Sequence, residues 1–217
     1  MTTLALETTA RALVAPGKGI LAADESAHTI ESRLRDIDVP STPETRRDYR
    51  EMLFAAPGLS EFISGVILFD ESLRQQASDG SSTIELLHRQ NLIAGVKVDK
   101  GTVPLAGFPE EKITEGLDGL RPRLAEYARM GVRFTKWRAV ISIGAGRPND
   151  ACLAANAHAL ARFAALSQEA GLVPIVEPEI LMDGDHPISR HYEVTEKMLQ
   201  RVFLALAEQR VALRGML

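Results

Sequence analysis

Cysteine and aromatic residues are scarce in this chain of 217 residues, and long hydrophobic runs are missing. Its one cysteine, Cys152, cannot form an internal disulfide, which excludes a disulfide-rich secreted fold and favours a reducing compartment. No stretch approaches the roughly 18 consecutive apolar residues that a membrane helix needs. The N-terminal residues lack the basic region and apolar core of a signal peptide. We therefore expect a cytoplasmic protein that does not associate with membranes.

An excess of positive charge is also missing, since the net charge is -4 and the isoelectric point is near 5.8. This balance argues against nucleic acid as the main partner. The apolar fraction of 45% is ordinary for a globular protein, and no linker or composition shift divides the chain. We expect a single domain that covers residues 1–217.

Recognisable metal and dinucleotide motifs are absent as well. The five histidines are scattered without a ligand pair at helical spacing. The stretch GAGRPND at 144–150 lacks the third glycine and the acidic partner of a dinucleotide site. The sequence therefore predicts neither a metal nor a cofactor.

Short β-prone runs alternate with longer helical patterns along the chain. The runs are GKGILAADES, SGVILFDES, AGVKVDKG, VRFTKWRAVI and LVPIVEPEI, and helices are predicted near 43–54, 82–89, 120–130, 149–170 and 192–210. Strands that alternate with helices indicate a parallel sheet with right-handed crossovers. The missing glycine-rich turn favours a barrel over a doubly wound sheet.

Each β-prone run is apolar at its start and charged at its end. The charged ends are Asp24-Glu25, Asp70-Glu71, Lys97 with Asp99-Lys100, Lys136 with Arg138, and Glu177 with Glu179. The carboxyl ends of parallel strands meet at one rim, where ligands bind. We therefore expect these charges to converge on one pocket.

The run FTKWRAV shows how such a strand divides its side chains. Residues two apart share a face of a strand, so Lys136 and Arg138 point together, whereas Trp137 points into the helical layer as a core residue. Two cations on one face need polar partners, which Asp24, Glu177 and Glu179 are predicted to supply.

A lysine among carboxylates in a closed pocket is typical of imine chemistry. A lysine of lowered pKa attacks a carbonyl, the protonated imine accepts electrons, and a carboxylate transfers protons. Lys136, Glu177 and Glu179 are of the required types. The same residues are equally compatible with a structural ion-pair network.

These strings together resemble the class I fructose-bisphosphate aldolases. GKGILAADES, SGVILFDES, GVKVDKG, FTKWRAV and VPIVEPEILMDGDH match in one register, from about Ala10 to Leu217. The resemblance implies a TIM (β/α)8 barrel in the α/β class, of which this chain holds about the first five β/α units. It also implies reversible cleavage of fructose 1,6-bisphosphate to dihydroxyacetone phosphate and glyceraldehyde 3-phosphate through a lysine imine, without metal, in a homotetramer.

The resemblance also implies roles for individual residues. Asp24 matches an aspartate that orients and activates the substrate hydroxyl, and Lys136 matches the lysine beside the imine. Glu177 matches the principal general acid/base, with Glu179 its acidic companion. The implied substrate-binding residues are Ser26, Thr29, Arg33, Lys97 and Arg138.

One element of the family pattern is not found in this sequence. The imine-forming lysine of the family lies in a string resembling LLKPNM, and the final residues RGML match the approach to that string. We therefore expect the parent protein to be an aldolase and the 217-residue chain alone to be inactive. The alternatives are a non-catalytic scaffold or subunit-binding fragment, and another imine-forming barrel such as a transaldolase.

Overall fold

The computed structural model describes residues 3–217, so Met1 and Thr2 of the predicted domain lie outside it. The strands are β1 (Gly19–Ala23), β2 (Ile63–Leu68), β3 (Ile93–Lys97), β4 (Thr102–Leu105), β5 (Phe108–Thr114), β6 (Phe134–Ile141) and β7 (Val173–Ile180). The helices are α1 (Thr3–Leu13), α2 (Ala27–Arg35), α3 (Pro43–Phe54), α4 (Leu59–Phe62), α5 (Asp70–Arg74), α6 (Thr83–Arg89), α7 (Leu120–Arg129), α8 (Asp150–Glu169) and α9 (Ile188–Glu208). A short 3-10 turn, Leu213–Gly215, follows α9.

Five of the strands form one parallel sheet in the order β1-β2-β3-β6-β7. The order follows the chain, as successive right-handed β/α units require. The sheet curls into part of a TIM barrel with the helices outside, which confirms the predicted fold class and its five β/α units. All five carboxyl ends therefore lie at one rim.

The predicted helices are present with small differences at their ends. Helix α3 has the predicted bounds because Thr42 caps it and Pro43 occupies its first turn. Helix α9 begins at Ile188, before the predicted start at 192, because Pro187 precedes it as its N-cap residue. Within residues 3–217, no helix combines the length and the apolar content that a membrane crossing requires.

Burial along β6 follows the alternation expected from FTKWRAV. Trp137 and Ile141 are fully buried against the helices, and the Trp137 ring stacks on Phe163 of α8 with centroids 5.6 Å apart. This confirms the prediction that Trp137 is a core residue. Lys136 and Arg138 are half-buried and point to the inner face of the sheet.

Helix α1 covers the amino-terminal end of the sheet, opposite the charged rim. Its buried residues Leu6, Ala10 and Leu13 pack with Phe134 of β6 and Val173 of β7 in a second apolar cluster. This cluster fills the inner face below the charged residues, so the polar part of the interior is confined to the carboxyl end.

The antiparallel hairpin β4–β5 is an element that the sequence reasoning missed. Thr102 pairs with Thr114 at its base, and Gly107 adopts a φ of 82° at its turn. Two prolines and the consecutive charges Glu110, Glu111 and Lys112 conceal its strand pattern, because proline and charged residues lower strand propensity.

Gly95 of β3 permits the close packing of β3 against β6. Gly95 lies opposite Phe134 in the ladder, and a Cβ atom at this position would collide with the buried Phe134 ring. We expect Gly95→Ala to lower the free energy of unfolding by about 1–3 kcal/mol, because overpacking displaces side chains. Denaturant unfolding of the chain measures it.

Gly19 of β1 provides the matched control. A Cβ atom there would meet no heavy atom within 4 Å, so Gly19→Ala should change stability much less. Equal unfolding free energies for the two variants would show that the Phe134 contact does not constrain position 95.

Candidate active site

A cavity of about 340 Å³ opens at the carboxyl ends of β1, β3 and β6. It is lined by polar residues from all three strands and from the segment after β1. Those named in the sequence prediction are Asp24, Ser26, Thr29, Arg33, Lys97, Lys136 and Arg138. The structure thus brings together seven residues that were predicted from separate parts of the chain, and Glu177 and Glu179 contact two of them.

Lys136 lies at the centre of this group, between carboxylates of two other strands. Its Nζ atom is 3.2 Å from Asp24 Oδ2 and 3.2 Å from Glu177 Oε2. The side chains of Lys136 and Asp24 are only 11% and 9% exposed. Strand pairing fixes this arrangement, because β6 lies between β3 and β7 and Arg138 is directly opposite Glu177 in the ladder.

Burial and charge act in opposite directions on these groups. Burial lowers the pKa of Lys136, but the adjacent Asp24 and Glu177 carboxylates outweigh it and raise that pKa above its ordinary value. Burial raises the pKa of Glu177, and the neighbouring Lys136 and Arg138 offset this rise only in part. Lys136 is therefore a stable ammonium, and Glu177 is a carboxyl group suited to proton transfer.

The surroundings of Lys136 bear on the imine chemistry considered from the sequence. An imine-forming lysine needs a lowered pKa. The neighbours of Lys136 are anions rather than cations, so they stabilise its protonated form, which is compatible with the position beside the imine that the resemblance implies.

The other two strand-borne cations are also paired. Arg138 donates from Nε to Glu179, two residues beyond Glu177 on β7. Lys97 donates from Nζ to Asp99, whose side chain is 2% exposed. Lys97, Lys136 and Arg138 are thus each paired with at least one carboxylate.

The segment after β1 forms the remaining wall of the cavity. Ser26 caps α2, since its Oγ atom accepts from Thr29 N at 3.3 Å and lies 3.0 Å from Thr29 Oγ1. Arg33, two turns along α2, donates to Glu25. The fully buried Arg50 of α3 donates to Glu25 O at 2.9 Å and thereby fixes the end of β1.

The charged end of the second β-prone run lies beside the cavity rather than in its lining. Helix α5 begins at Asp70, which accepts from Tyr127 Oη at 2.9 Å and lines an adjoining pocket with Ser26, Lys97 and Asp99. Glu71 binds Arg46 of α3 and does not line either pocket.

Arg50 is a residue of the site that the sequence prediction missed. Glu25 and Asp99 were among the charged strand ends predicted to converge, and both line the cavity, although neither was assigned a role. Arg50 had no signal in the sequence, since its role depends on packing of α3 against the end of β1.

Cys152 is buried in α8, as predicted for a core residue. Burial raises the pKa of its thiol to about 12, with nearby Glu111 acting in the same direction. A thiol of such high pKa is a poor nucleophile. In the part of the chain that the structure describes, no group of three or more His, Cys, Asp or Glu side chains is arranged to hold a metal ion.

Comparison with known proteins adds an independent line of evidence. Residues 5–217 match the family model described as "Glycolytic: Fructose-bisphosphate aldolase class-I". The "Probable fructose-bisphosphate aldolase class 1" of Xanthomonas campestris pv. campestris is 57% identical over 210 residues, covering 97% of this chain and 63% of the relative. The "Fructose-bisphosphate aldolase" of Dictyostelium discoideum is 50% identical over 212 residues, covering 96% and 59%.

A solved structure resembles the fold closely. Fructose-bisphosphate aldolase from Plasmodium falciparum, solved in complex with TRAP and a small-molecule inhibitor, superimposes with a TM-score of 0.96 at 50% identity. The match covers 98% of this chain and 62% of that one. The chain thus spans somewhat less than two thirds of the length of these relatives.

Proposed function

Because the chain belongs to the class I fructose-bisphosphate aldolase family, we propose that it supplies the acid–base and part of the substrate-binding machinery of such an enzyme. The reaction is the reversible cleavage of fructose 1,6-bisphosphate into dihydroxyacetone phosphate and glyceraldehyde 3-phosphate through a lysine imine. The family resemblance also underlies the proposals of a cytoplasmic homotetramer that acts without metal, cofactor, nucleic acid or membrane.

The observation that supports this function best is the position of Lys136 between Asp24 and Glu177, at 3.2 Å from each. Aldol cleavage removes a proton from a hydroxyl group, breaks the adjacent carbon–carbon bond and later returns a proton to carbon. Two carboxyl groups that share one ammonium can exchange protons with the substrate while the total charge of the site stays balanced.

The three residues have different chemical tasks in this scheme. Glu177, with its raised pKa, takes up and releases the transferred proton. Asp24, largely buried, accepts a hydrogen bond from a substrate hydroxyl and orients it. Lys136 remains positively charged and stabilises negative charge that develops on the substrate.

The remaining residues fit a phosphorylated sugar. Arg33, Lys97 and Arg138 offer cationic donors, and Ser26 and Thr29 offer hydroxyl groups at the start of α2. Guanidinium, ammonium and hydroxyl groups are the side-chain donors that phosphate oxygens and sugar hydroxyls accept from. Glu179 completes the site by orienting Arg138.

The activity is tested in a completed chain, in which residues 1–217 are joined to the remaining third of the Xanthomonas campestris relative. We expect cleavage of fructose 1,6-bisphosphate, measured by coupled oxidation of NADH. An inactive but folded completed chain would overturn the function proposed for residues 1–217.

Chelation distinguishes the proposed imine chemistry from metal-assisted cleavage. The completed chain should keep its turnover after dialysis against excess EDTA, because a protonated imine accepts the electrons released by bond cleavage. The assay is repeated with added Zn²⁺ as control. Activity that is lost on chelation and restored by Zn²⁺ would contradict assignment to the class I reaction.

A further inference from the structure

The backbone ladder between β3 and β6 opens immediately beside the site. Val98 N donates to Lys136 O at 3.0 Å, so a regular parallel ladder would continue with Arg138 N donating to Val98 O. Instead Arg138 N donates to Asp99 Oδ2 at 3.2 Å, and Val98 O accepts from Arg123 Nη1 at 3.0 Å. Two side chains thus replace one backbone hydrogen bond where the strands separate.

The Asp99 carboxylate is satisfied by donors from three parts of the chain. Oδ1 accepts from Lys97 Nζ and from Gly101 N, the latter at 3.1 Å, and Oδ2 accepts from Arg138 N. Its side chain is 2% exposed, so the carboxylate depends on these donors rather than on water. A charged group with such complete pairing holds its partners rigidly.

The opposite side of the opening is closed by the helical layer. Arg123 of α7 donates to Val98 O and to Gly116 O, the latter at 2.7 Å. These two carbonyls flank the excursion that contains the β4–β5 hairpin. Thr114 Oγ1 donates to Arg138 O at 2.8 Å, so both backbone polar groups of Arg138 are bound by side chains.

We propose that Asp99 is a positioning residue of the substrate site, which holds the Lys97 ammonium and the Arg138 backbone in place where β3 and β6 separate. This inference rests on the proposed function, because it takes Lys97 and Arg138 as the groups that bind the substrate. Asp99 itself is held by its donors and acts through those two residues.

Positioning and simple electrostatics predict opposite effects of Asp99→Asn on substrate affinity. The substitution removes a negative charge beside an anionic ligand, so electrostatics alone would lower KM. Loss of the hold on Lys97 and Arg138 should instead raise KM by about 10-fold with kcat changed much less, since misplaced binding groups weaken the complex. Steady-state kinetics of the completed chain measures both constants.

Asp118→Asn is the matched control for these kinetics. Asp118 is exposed in the loop before α7, and within residues 3–217 it makes no ion pair. Its KM should equal that of wild type. An unchanged or lowered KM in Asp99→Asn would overturn the proposal for Asp99. An inactive wild-type completed chain would instead reject the proposed function, and the role of Asp99 would then be decided by the test that follows.

That test needs no substrate and uses residues 1–217 alone. Acetylation by acetic anhydride, followed by digestion and mass spectrometry, reports the reactivity of each lysine. Lys97 should react much more slowly than exposed Lys100, and Asp99→Asn should raise the Lys97 rate about 10-fold while Lys100 stays unchanged.

Lys136 reports whether the variant has kept its fold, because Asp24 and Glu177 hold it independently of Asp99. If Lys136 also becomes reactive in Asp99→Asn, the variant has lost its fold. The proposal is then judged from the wild-type chain, by comparing the acetylation rate of Lys97 with that of Lys100. Equal wild-type rates for these two lysines, or an unchanged Lys97 rate in a folded variant, would overturn the proposal.

Discussion

Replacing Glu177 by glutamine in the completed chain should lower kcat by about 10²–10⁴-fold, the usual contribution of a general acid–base group. KM should change by only a few-fold, because proton transfer is required in the chemical steps and not for binding. Glutamine keeps the shape of the side chain but cannot carry the proton. Steady-state assays of fructose 1,6-bisphosphate cleavage measure both constants.

The pH profile provides a second readout of the same substitution. Since the pKa of Glu177 is raised above its ordinary 4.5, the carboxylate is protonated as the pH falls through a value higher than 4.5. The acidic limb of kcat/KM should therefore lie above pH 4.5 and disappear in Glu177→Gln.

Glu208→Gln is the control for the glutamate substitution. Glu208 is exposed at the end of α9, and its replacement should leave the rate and the profile unchanged. Turnover of Glu177→Gln within a few-fold of wild type would remove Glu177 from the catalytic group.

Residues 1–217 alone should form no reducible adduct with dihydroxyacetone phosphate, whereas the completed chain should form one. The lysine best placed in the site, Lys136, is held as an ammonium by Asp24 and Glu177 and has no lone pair with which to attack a carbonyl. The family resemblance assigns the imine to a different lysine, outside this sequence. Borohydride reduction followed by intact-mass spectrometry measures the adduct.

The identity of the lysine that carries the adduct decides which part of the chain forms the imine. Peptide mapping of the reduced completed chain should locate the label outside residues 1–217. Stoichiometric labelling of Lys136 or Lys97 in the 217-residue chain would refute the role proposed for Lys136 and assign imine formation to this part of the barrel.

Side-chain alternation made much of the site predictable. The spacing of Lys136, Trp137 and Arg138 fixes which side chains face the helices, because successive residues of a strand point to opposite faces. Strand ends that share one rim then bring Asp24 and Glu177 to Lys136. Both inferences need only local pattern and the parallel order of the strands.

Other features depend on geometry that local pattern does not contain. Asp70 follows a β-prone run much as Asp24 does, yet α5 begins there and its carboxylate binds Tyr127 beside the cavity rather than Lys136 within it. The role of Asp99 arises only because β3 and β6 separate after Lys97, which leaves Arg138 N without its ladder partner. Arg50 matters because α3 packs where β1 ends, a contact between segments distant in sequence.

The complete pairing of charges in the cavity determines how an anionic ligand first approaches it. Opposite charges in contact largely cancel beyond a Debye length of about 8 Å, so the cavity projects little attraction into the surrounding solution. For the proposed phosphorylated-sugar substrate, we therefore expect approach to these residues by ordinary diffusion rather than by electrostatic steering, with an encounter rate that responds weakly to ionic strength. Attraction to the individual cations is then expected to act only at short range. The cations are Arg33, Lys97, Lys136 and Arg138, and their present partners are Glu25, Asp99, Asp24, Glu177 and Glu179.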